Sequence, residues 1–450
     1  MNYEKDYKRI LIFLTIATYV LVFAWLFGRN LTADTDYSFH MNNIMELSKG
    51  NWIKNPYLSG GKYLTLAYGA PAYLLGAGLY LLFGTLTVAL LMLIAFLIFL
   101  HYDKKLVASL TNNKKISELA FFALLLNPFT VYMFITAKLP FVWASCFGLI
   151  SLVYFFNDRK YPAVAMGVLS VITHPVAIFL FIGAFLLNFK SKEILVVYAP
   201  IFTLSIINLL FVWHFNIFGG MQIGISELVA LSIFFAVVTA LYWARRESRP
   251  FCISIGCLSA LLFVGTLAGA FSVPFIYFDR AGWLIFLVAS PFLAQRFLPK
   301  MESIVPSIVP LTIVCAMLIT GGVVAYHAMS INDNPEVFSS LPQKVVTSLY
   351  NGWVHFANDG SALYELPKDG VRFSNAGQVN QVPNENLDSY IKRIMIENAS
   401  FVLVYGKSPE ENLIENLGWP LIFHENDLKI WRCEKENGQI MSPRFLPPGK

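Results

Sequence analysis

The chain reads as a polytopic α-helical membrane protein with about eleven transmembrane helices and a small α/β domain over its last ~120 residues. Three observations predict this. The first is composition: the 450 residues are 56% hydrophobic and only 14% charged, with a mean hydropathy of +0.59. A soluble protein is usually about half apolar and about a quarter charged, and a buried core does not account for the difference. The second is the recurrence of apolar runs close to the ~20 residues that a bilayer requires. The third is a one-sided distribution of basic residues.

Taken in order, the spans are roughly 10–28, 85–101, 117–135, 140–156, 162–173, 175–189, 194–214, 228–244, 251–273, 281–295 and 304–326. The first run follows a basic start and mimics a signal peptide. It is long for one and lacks a small-residue cleavage site, so it reads as a retained span. With the N-terminus inside, the inner segments carry sixteen Lys and Arg residues and the outer loops six. The inner set includes Lys104, Lys105, Lys114, Lys115, Arg245, Arg246, Arg249, Arg296 and Lys300.

That bias decides two ambiguous stretches. Residues 63–84 are apolar, but counting them as a span would invert everything downstream. They read as an interfacial or partly re-entrant segment rich in Tyr, Gly and Pro. Residues 162–189 have basic residues at both ends, so they form a short helical hairpin. Its turn falls at Thr173-His174-Pro175, because Pro175 disfavours helix at His174.

The transmembrane domain is thus 1–329, its first external loop about 29–84, and the extracytoplasmic domain 330–450. In that domain Val402–Tyr405, Pro420–Phe423 and Leu428–Trp431 read as strands. Asn386 to Asn398 reads as a helix with Leu387, Tyr390, Ile391 and Ile394 on one face, and a second helix starts at Ser408-Pro409-Glu410. Sequons at Asn30 and Asn398 are external in this topology. The five cysteines include no CxxC or Cys/His zinc spacing and read as small apolar residues. No basic block reads as a nucleic-acid patch, and no internal repeat of broken helices argues for a transporter.

Polar chemistry gathers at the outer ends. The first outer loop contains Asp34-Thr-Asp36 at the start of a helix in which Asp36 and His40 share a face. An acid there suits a general base; an Asp/His pair also suits a metal; a helix cap with an interfacial His explains the same residues. His174 stands at the outer end of the hairpin, Asp279-Arg280 at the outer end of a span, and Lys138 in Thr-Ala-Lys-Leu-Pro. Arg280 suits a phosphate. Each also has an ordinary reading as an interfacial residue. Together they bring carboxylate, imidazole and cations to one side, where a lipid-phosphate headgroup would meet them.

This organisation resembles the GT-C superfamily of membrane glycosyltransferases, which use polyprenyl-phosphate-linked sugars. The loop ADTDYSFHMNNIMELSKGNW is similar to that family's acidic first loop, with an aromatic-His juxtamembrane helix and a Gly-Asn-Trp turn. The stretch Tyr68-Gly-Ala-Pro71-Ala-Tyr73 resembles its Tyr/Pro-rich segment. Asn127-Pro128, Leu169 to Pro175 and Phe278-Asp279-Arg280 resemble later motifs. The resemblance implies Asp36 as catalytic acid with Asp34 as its neighbour. It also implies an inverting transfer on the outer face, with substrate contacts from His40, Lys138, His174, Asp279 and Arg280. Oligosaccharyltransferases carry acidic metal ligands in their second outer loop; here that position reads Ile135-Thr-Ala-Lys138-Leu-Pro, with no acid. Nor does Asn351-Gly-Trp353-Val-His355 match their acceptor motif. The cofactor stays open, and a divalent metal lacks support from a second acidic loop. The expected partners are a polyprenyl-phosphate-linked sugar donor, an acceptor of unknown identity and membrane lipid. A transporter or flippase for a glycan, and a non-catalytic scaffold with an external binding domain, are the competing readings.

Overall fold

The computed structural model describes residues 3–29, 35–58, 63–66, 69–111, 114–187, 192–214, 341–356, 371–374, 387–405, 408–425, 428–433, 435–436 and 439–440, with Leu284, Leu287, Val288 and Leu366. The spans expected at 228–244, 251–273 and 304–326, and nearly all of 281–295, lie outside them. The contacts divide the chain into two compact units. One comprises Met1–Gly28, Tyr68–Ala72 and Ala89–Ala328; the other Arg29–Ala67, Tyr73–Val88 and Met329–Lys450.

Three described stretches are helical, long and apolar enough to cross a membrane: Lys8–Gly28, Ala70–Leu110 and Leu139–Phe156. Helix α1 (Tyr3–Arg29) buries Leu11, Tyr19, Val22 and Leu26 along one stripe and exposes Phe13, Ile16, Val20 and Leu21. An apolar outer face on an apolar helix is what lipid selects. The second stretch is interrupted. Helix α3 (Ala70–Phe83) gives way to a 3-10 turn at Gly84–Leu86 before α4 (Thr87–Leu110). At 14 residues, α3 is roughly 21 Å long, short of the ~30 Å hydrocarbon core.

The run expected as one span at 117–135 is two helices, α5 (Lys114–Leu125) and α6 (Pro128–Ile135). Pro128 lacks an N–H and disfavours helix at Asn127. The Leu125 carbonyl left at the break accepts the Tyr19 hydroxyl at 2.9 Å. Tyr19 also stacks on Phe96 with ring centroids 4.1 Å apart.

The expected hairpin at 162–189 is present as α8 (Lys160–Thr173), a 3-10 turn at Pro175–Ala177 and α9 (Ile178–Leu187). It packs between α7 (Leu139–Phe156) and α10 (Lys192–His214). Small residues allow the approach: a Cβ on Gly148 would collide with Leu180, and one on Gly167 with Ile201. Ser170 Oγ donates to Ala144 O at 2.7 Å and Ser151 Oγ to Ala163 O at 2.6 Å, so α7 and α8 are joined by small side chains and polar bonds.

In the second unit, α2 (Thr35–Ser48) leads to a two-stranded ribbon of β1 (Lys54–Asn55) and β2 (Tyr63–Leu64). The C-terminal part contains α11 (Gln343–Leu349), β3 (Trp353–Phe356), β4 (Arg372–Phe373), α12 (Leu387–Ile396), β5 (Ala399–Tyr405) and α13 (Pro409–Leu417). They are followed by β6 (Leu421–Glu425), β7 (Leu428–Arg432) and the pair β8 (Lys435–Glu436) and β9 (Gln439–Ile440).

The main sheet has the order β4-β3-β5-β7-β6. Strands β4, β3 and β5 run parallel, while β7 pairs antiparallel with β5 and β6. The apolar face of α12 (Tyr390, Ile391, Ile394) and Ile414 and Leu417 of α13 form one core with Val402, Val404 and Trp431. Strand β4 is joined to the first loop through Phe373 N, which donates to Tyr57 O at 2.8 Å. The expected strands and both helices of this domain are present; β3 and β4 were not expected.

Candidate functional site

The acidic loop is built around α2. Its apolar spacing predicts one buried face, yet every side chain from Tyr37 to Leu47 is buried, including Ser38, His40, Asn42, Asn43 and Glu46. Buried polar groups must be hydrogen-bonded, and these bonds fix the helix from several directions. The Tyr37 hydroxyl donates to Thr85 O at 3.0 Å. His40 Nδ1 lies 2.6 Å from the Tyr73 hydroxyl on α3. Asn55 Oδ1 accepts Tyr57 N at 3.0 Å, which orients its amide so that Nδ2 donates to Asn42 Oδ1 at 2.7 Å and Asn43 Oδ1 at 3.1 Å. Glu46 accepts Lys49 Nζ at 2.8 Å and Asn51 Nδ2 at 2.6 Å.

Asp36 lies in the first turn of this immobilised helix and is half-buried. The unpaired N–H groups of a helix N-terminus favour a carboxylate there. His40 follows one turn later. Asp34 lies outside the described residues.

Lys138 and His174 belong to the other unit. Lys138 precedes α7 without a side-chain capping bond. It follows Ala137, whose φ of 49° turns the chain out of α6. His174 is fully buried and extended, at φ −155° and ψ 117°, as the following proline dictates. Its Nδ1 accepts Val176 N at 3.3 Å, which assigns the proton to Nε2 in the neutral ring. The ring packs edge-on against Phe141, one turn beyond Lys138, with centroids 5.3 Å apart.

Three carbonyls at this break accept donors from other segments. Gly69 N donates to Thr173 O at 3.1 Å, Ser205 Oγ to Pro175 O at 3.0 Å, and Asn208 Nδ2 to Val171 O at 2.7 Å. The Gly69–Pro71 stretch and the Thr173-His174-Pro175 break, parts of separate motifs in the sequence, are therefore directly bonded. Asp279 and Arg280 lie outside the described residues.

The structure adds a charged cluster that the sequence reading missed. His355 on β3 is buried, with Nδ1 2.5 Å from Glu397 Oε2 and Nε2 3.0 Å from Glu410 Oε2. Two carboxylates on the two ring nitrogens favour the imidazolium, although Arg393 Nη1 also lies 3.3 Å from Nε2. Arg393 Nη2 donates to Glu410 Oε1 at 3.0 Å and Ser374 Oγ to Glu397 Oε2 at 3.0 Å. Burial alone would lower the His355 pKa. The Glu397 charge and hydrogen bond, then those of Glu410, outweigh it and raise the pKa from 6.5 to about 9. Burial pushes both carboxylates up, but His355 and Arg393 hold them below their ordinary value. The cluster balances two cations against two anions, and it ties α12 and α13 to the sheet. Among the described residues, no group of three His, Cys, Asp or Glu side chains is placed to hold a metal ion.

No protein-family model matches the chain, and no characterised protein matches it in sequence.

Proposed function

We propose that the protein is a membrane glycosyltransferase that moves a sugar from a polyprenyl-phosphate donor to an acceptor on the outer membrane face. The observation that carries this reading is Asp36: a half-buried carboxylate in the first turn of a helix fixed on several sides by hydrogen bonds. A base works when its position is set before the substrate arrives. Asp36 removes the proton from the acceptor hydroxyl, whose oxygen attacks the anomeric carbon. The bond from that carbon to the phosphate oxygen breaks with inversion, and polyprenyl phosphate leaves. Lys138, His174 and Arg280 supply charge and hydrogen bonds to the departing phosphate, and His40 and Asp279 contact the substrates. Asp34 assists Asp36. The chain crosses the membrane about eleven times with its C-terminal domain outside. The test is Asp36→Asn, expected to abolish transfer while the protein still inserts; full activity in that variant overturns the assignment.

A second reading, transport of a lipid-linked glycan, is favoured by Asp103 on α4. It is fully buried, and both carboxylate oxygens lack a hydrogen-bond partner among the described residues. An ionisable group in that state within a membrane protein is a functional candidate. If transport is the activity, Asp103→Asn stops glycan movement across vesicles and Asp36→Asn does not.

A further inference from the structure

Helix α2 ends in a turn that is rigidly built and yet presents large apolar side chains outward. Lys49 N donates to Met45 O at 3.2 Å, Gly50 N to Leu47 O at 3.0 Å and Asn51 N to Glu46 O at 3.0 Å. The buried Glu46 carboxylate holds Lys49 and Asn51 from beneath. Thr65 closes the far side, its N–H donating to Ile53 O at 3.0 Å and its hydroxyl to Asn51 O at 3.3 Å. The turn so fixed leaves Trp52 56% and Ile53 73% exposed. Lys54 is exposed beside them, and the Lys49 side chain is 47% exposed.

We propose that the Trp52–Ile53 turn is a membrane-interface anchor whose partner is the headgroup layer of the bilayer. The chemistry fits that partner on three counts. An indole settles at headgroup level, where its ring is shielded and its N–H stays wet. A neighbouring aliphatic side chain reaches the acyl boundary, and the adjacent exposed Lys54 meets anionic lipid phosphates. Helix α3, whose Tyr73–Phe83 part belongs to the same unit, supports the same medium. It exposes Leu74, Leu75, Leu81 and Leu82 and carries no charge. A folded protein partner is a poorer fit, because a stable interface buries about 800 Å² on each side. Two side chains supply a fraction of that, whereas a bilayer needs only a local foothold. The anchor sets the depth of α2, and with it the level at which Asp36 meets a lipid-borne substrate; the anchoring itself stands apart from any catalytic role.

The test uses the full-length protein in vesicles of phosphatidylethanolamine and phosphatidylglycerol that contain a lipid with a headgroup-proximal diazirine. After irradiation, mass spectrometry is expected to find lipid adducts on Trp52 or Ile53. They should fall several-fold in the Trp52→Glu/Ile53→Glu variant while that variant stays in the membrane fraction. Leu421 and Ile422 on β6, also exposed, serve as the comparison and are expected to carry few adducts. Absence of adducts at 52–53 in the native sequence, equal labelling of Leu421 and Ile422, or adduct levels unchanged in the double variant would each overturn the proposal.

Discussion

Asp36 and His355 illustrate two opposite uses of a charged side chain. Asp36 sits half-buried at the positive end of a helix, where its charge is favoured, and is proposed to act on a substrate. His355 is sealed between Glu397 and Glu410, and its charge holds elements together. The pH dependence of the C-terminal domain follows from its shift. A folded pKa of about 9 against 6.5 gives stability that is complete below the unfolded value and is lost as pH rises through about 9. At ~1.4 kcal/mol for each tenfold change, this is on the order of 3 kcal/mol. The same contacts lower Glu397 and Glu410, so stability is also lost as pH falls below the ordinary carboxylate range. Thermal unfolding is expected to be most resistant between the ordinary carboxylate range and about pH 6.5, with an alkaline limb that runs from there to about pH 9. His355→Ala, which leaves two buried carboxylates without their cation, should cost roughly 3–5 kcal/mol and remove that limb; an unchanged alkaline limb would assign it elsewhere. The placement of Asp36 and His40 one turn apart on a helix is legible in the sequence from their spacing. The His355 cluster was not, because its members are distant in sequence and only the β3–β5 register and the landing of α12 and α13 unite them.

At the scale of elements, the break between α8 and α9 shows how far local chemistry carries. Pro175 announces the turn, and the structure has it where the sequence places it. What the sequence could not announce is the repair: Gly69, Ser205 and Asn208 arrive from other segments to satisfy Thr173, Pro175 and Val171. Removing both α10 donors with Ser205→Ala and Asn208→Leu is expected to cost about 1–3 kcal/mol, read as a lower melting temperature in detergent. Gly167→Leu should cost more, because α8 must move away from Ile201. A melting temperature equal to the native one in either variant would mean that the hairpin is held by other contacts. The same limit explains the elements that were misread. Asn127-Pro128 splits an apolar run that hydropathy alone joins. Strands β3 and β4 are short, and β4 has only two residues; their signal is their pairing, β3 with a distant β5 and β4 with β3.

For the whole molecule, the central inference is orientation. From the one-sided distribution of basic residues we propose that the Asp36 loop and the C-terminal domain lie together outside. That placement agrees with the bond between Tyr57 of the first loop and Phe373 of β4, which requires both segments on one side of the membrane. Cysteines introduced at the exposed positions His424 and Lys105 give the check: in intact cells an impermeant thiol reagent is expected to modify His424→Cys and spare Lys105→Cys. The reverse pattern would invert the topology and remove Asp36 from the outer face. The most direct test of the functional account is sugar transfer itself. Membranes containing the native protein are incubated with a panel of radiolabelled polyprenyl-phosphate sugars, beside membranes containing the Asp36→Asn variant at equal abundance. If Asp36 is the base of a transferase that uses such donors, the native protein is expected to release sugar from at least one donor and the variant none above background. Full activity in the variant, or no consumption of any polyprenyl-phosphate sugar by the native protein, would contradict that reading.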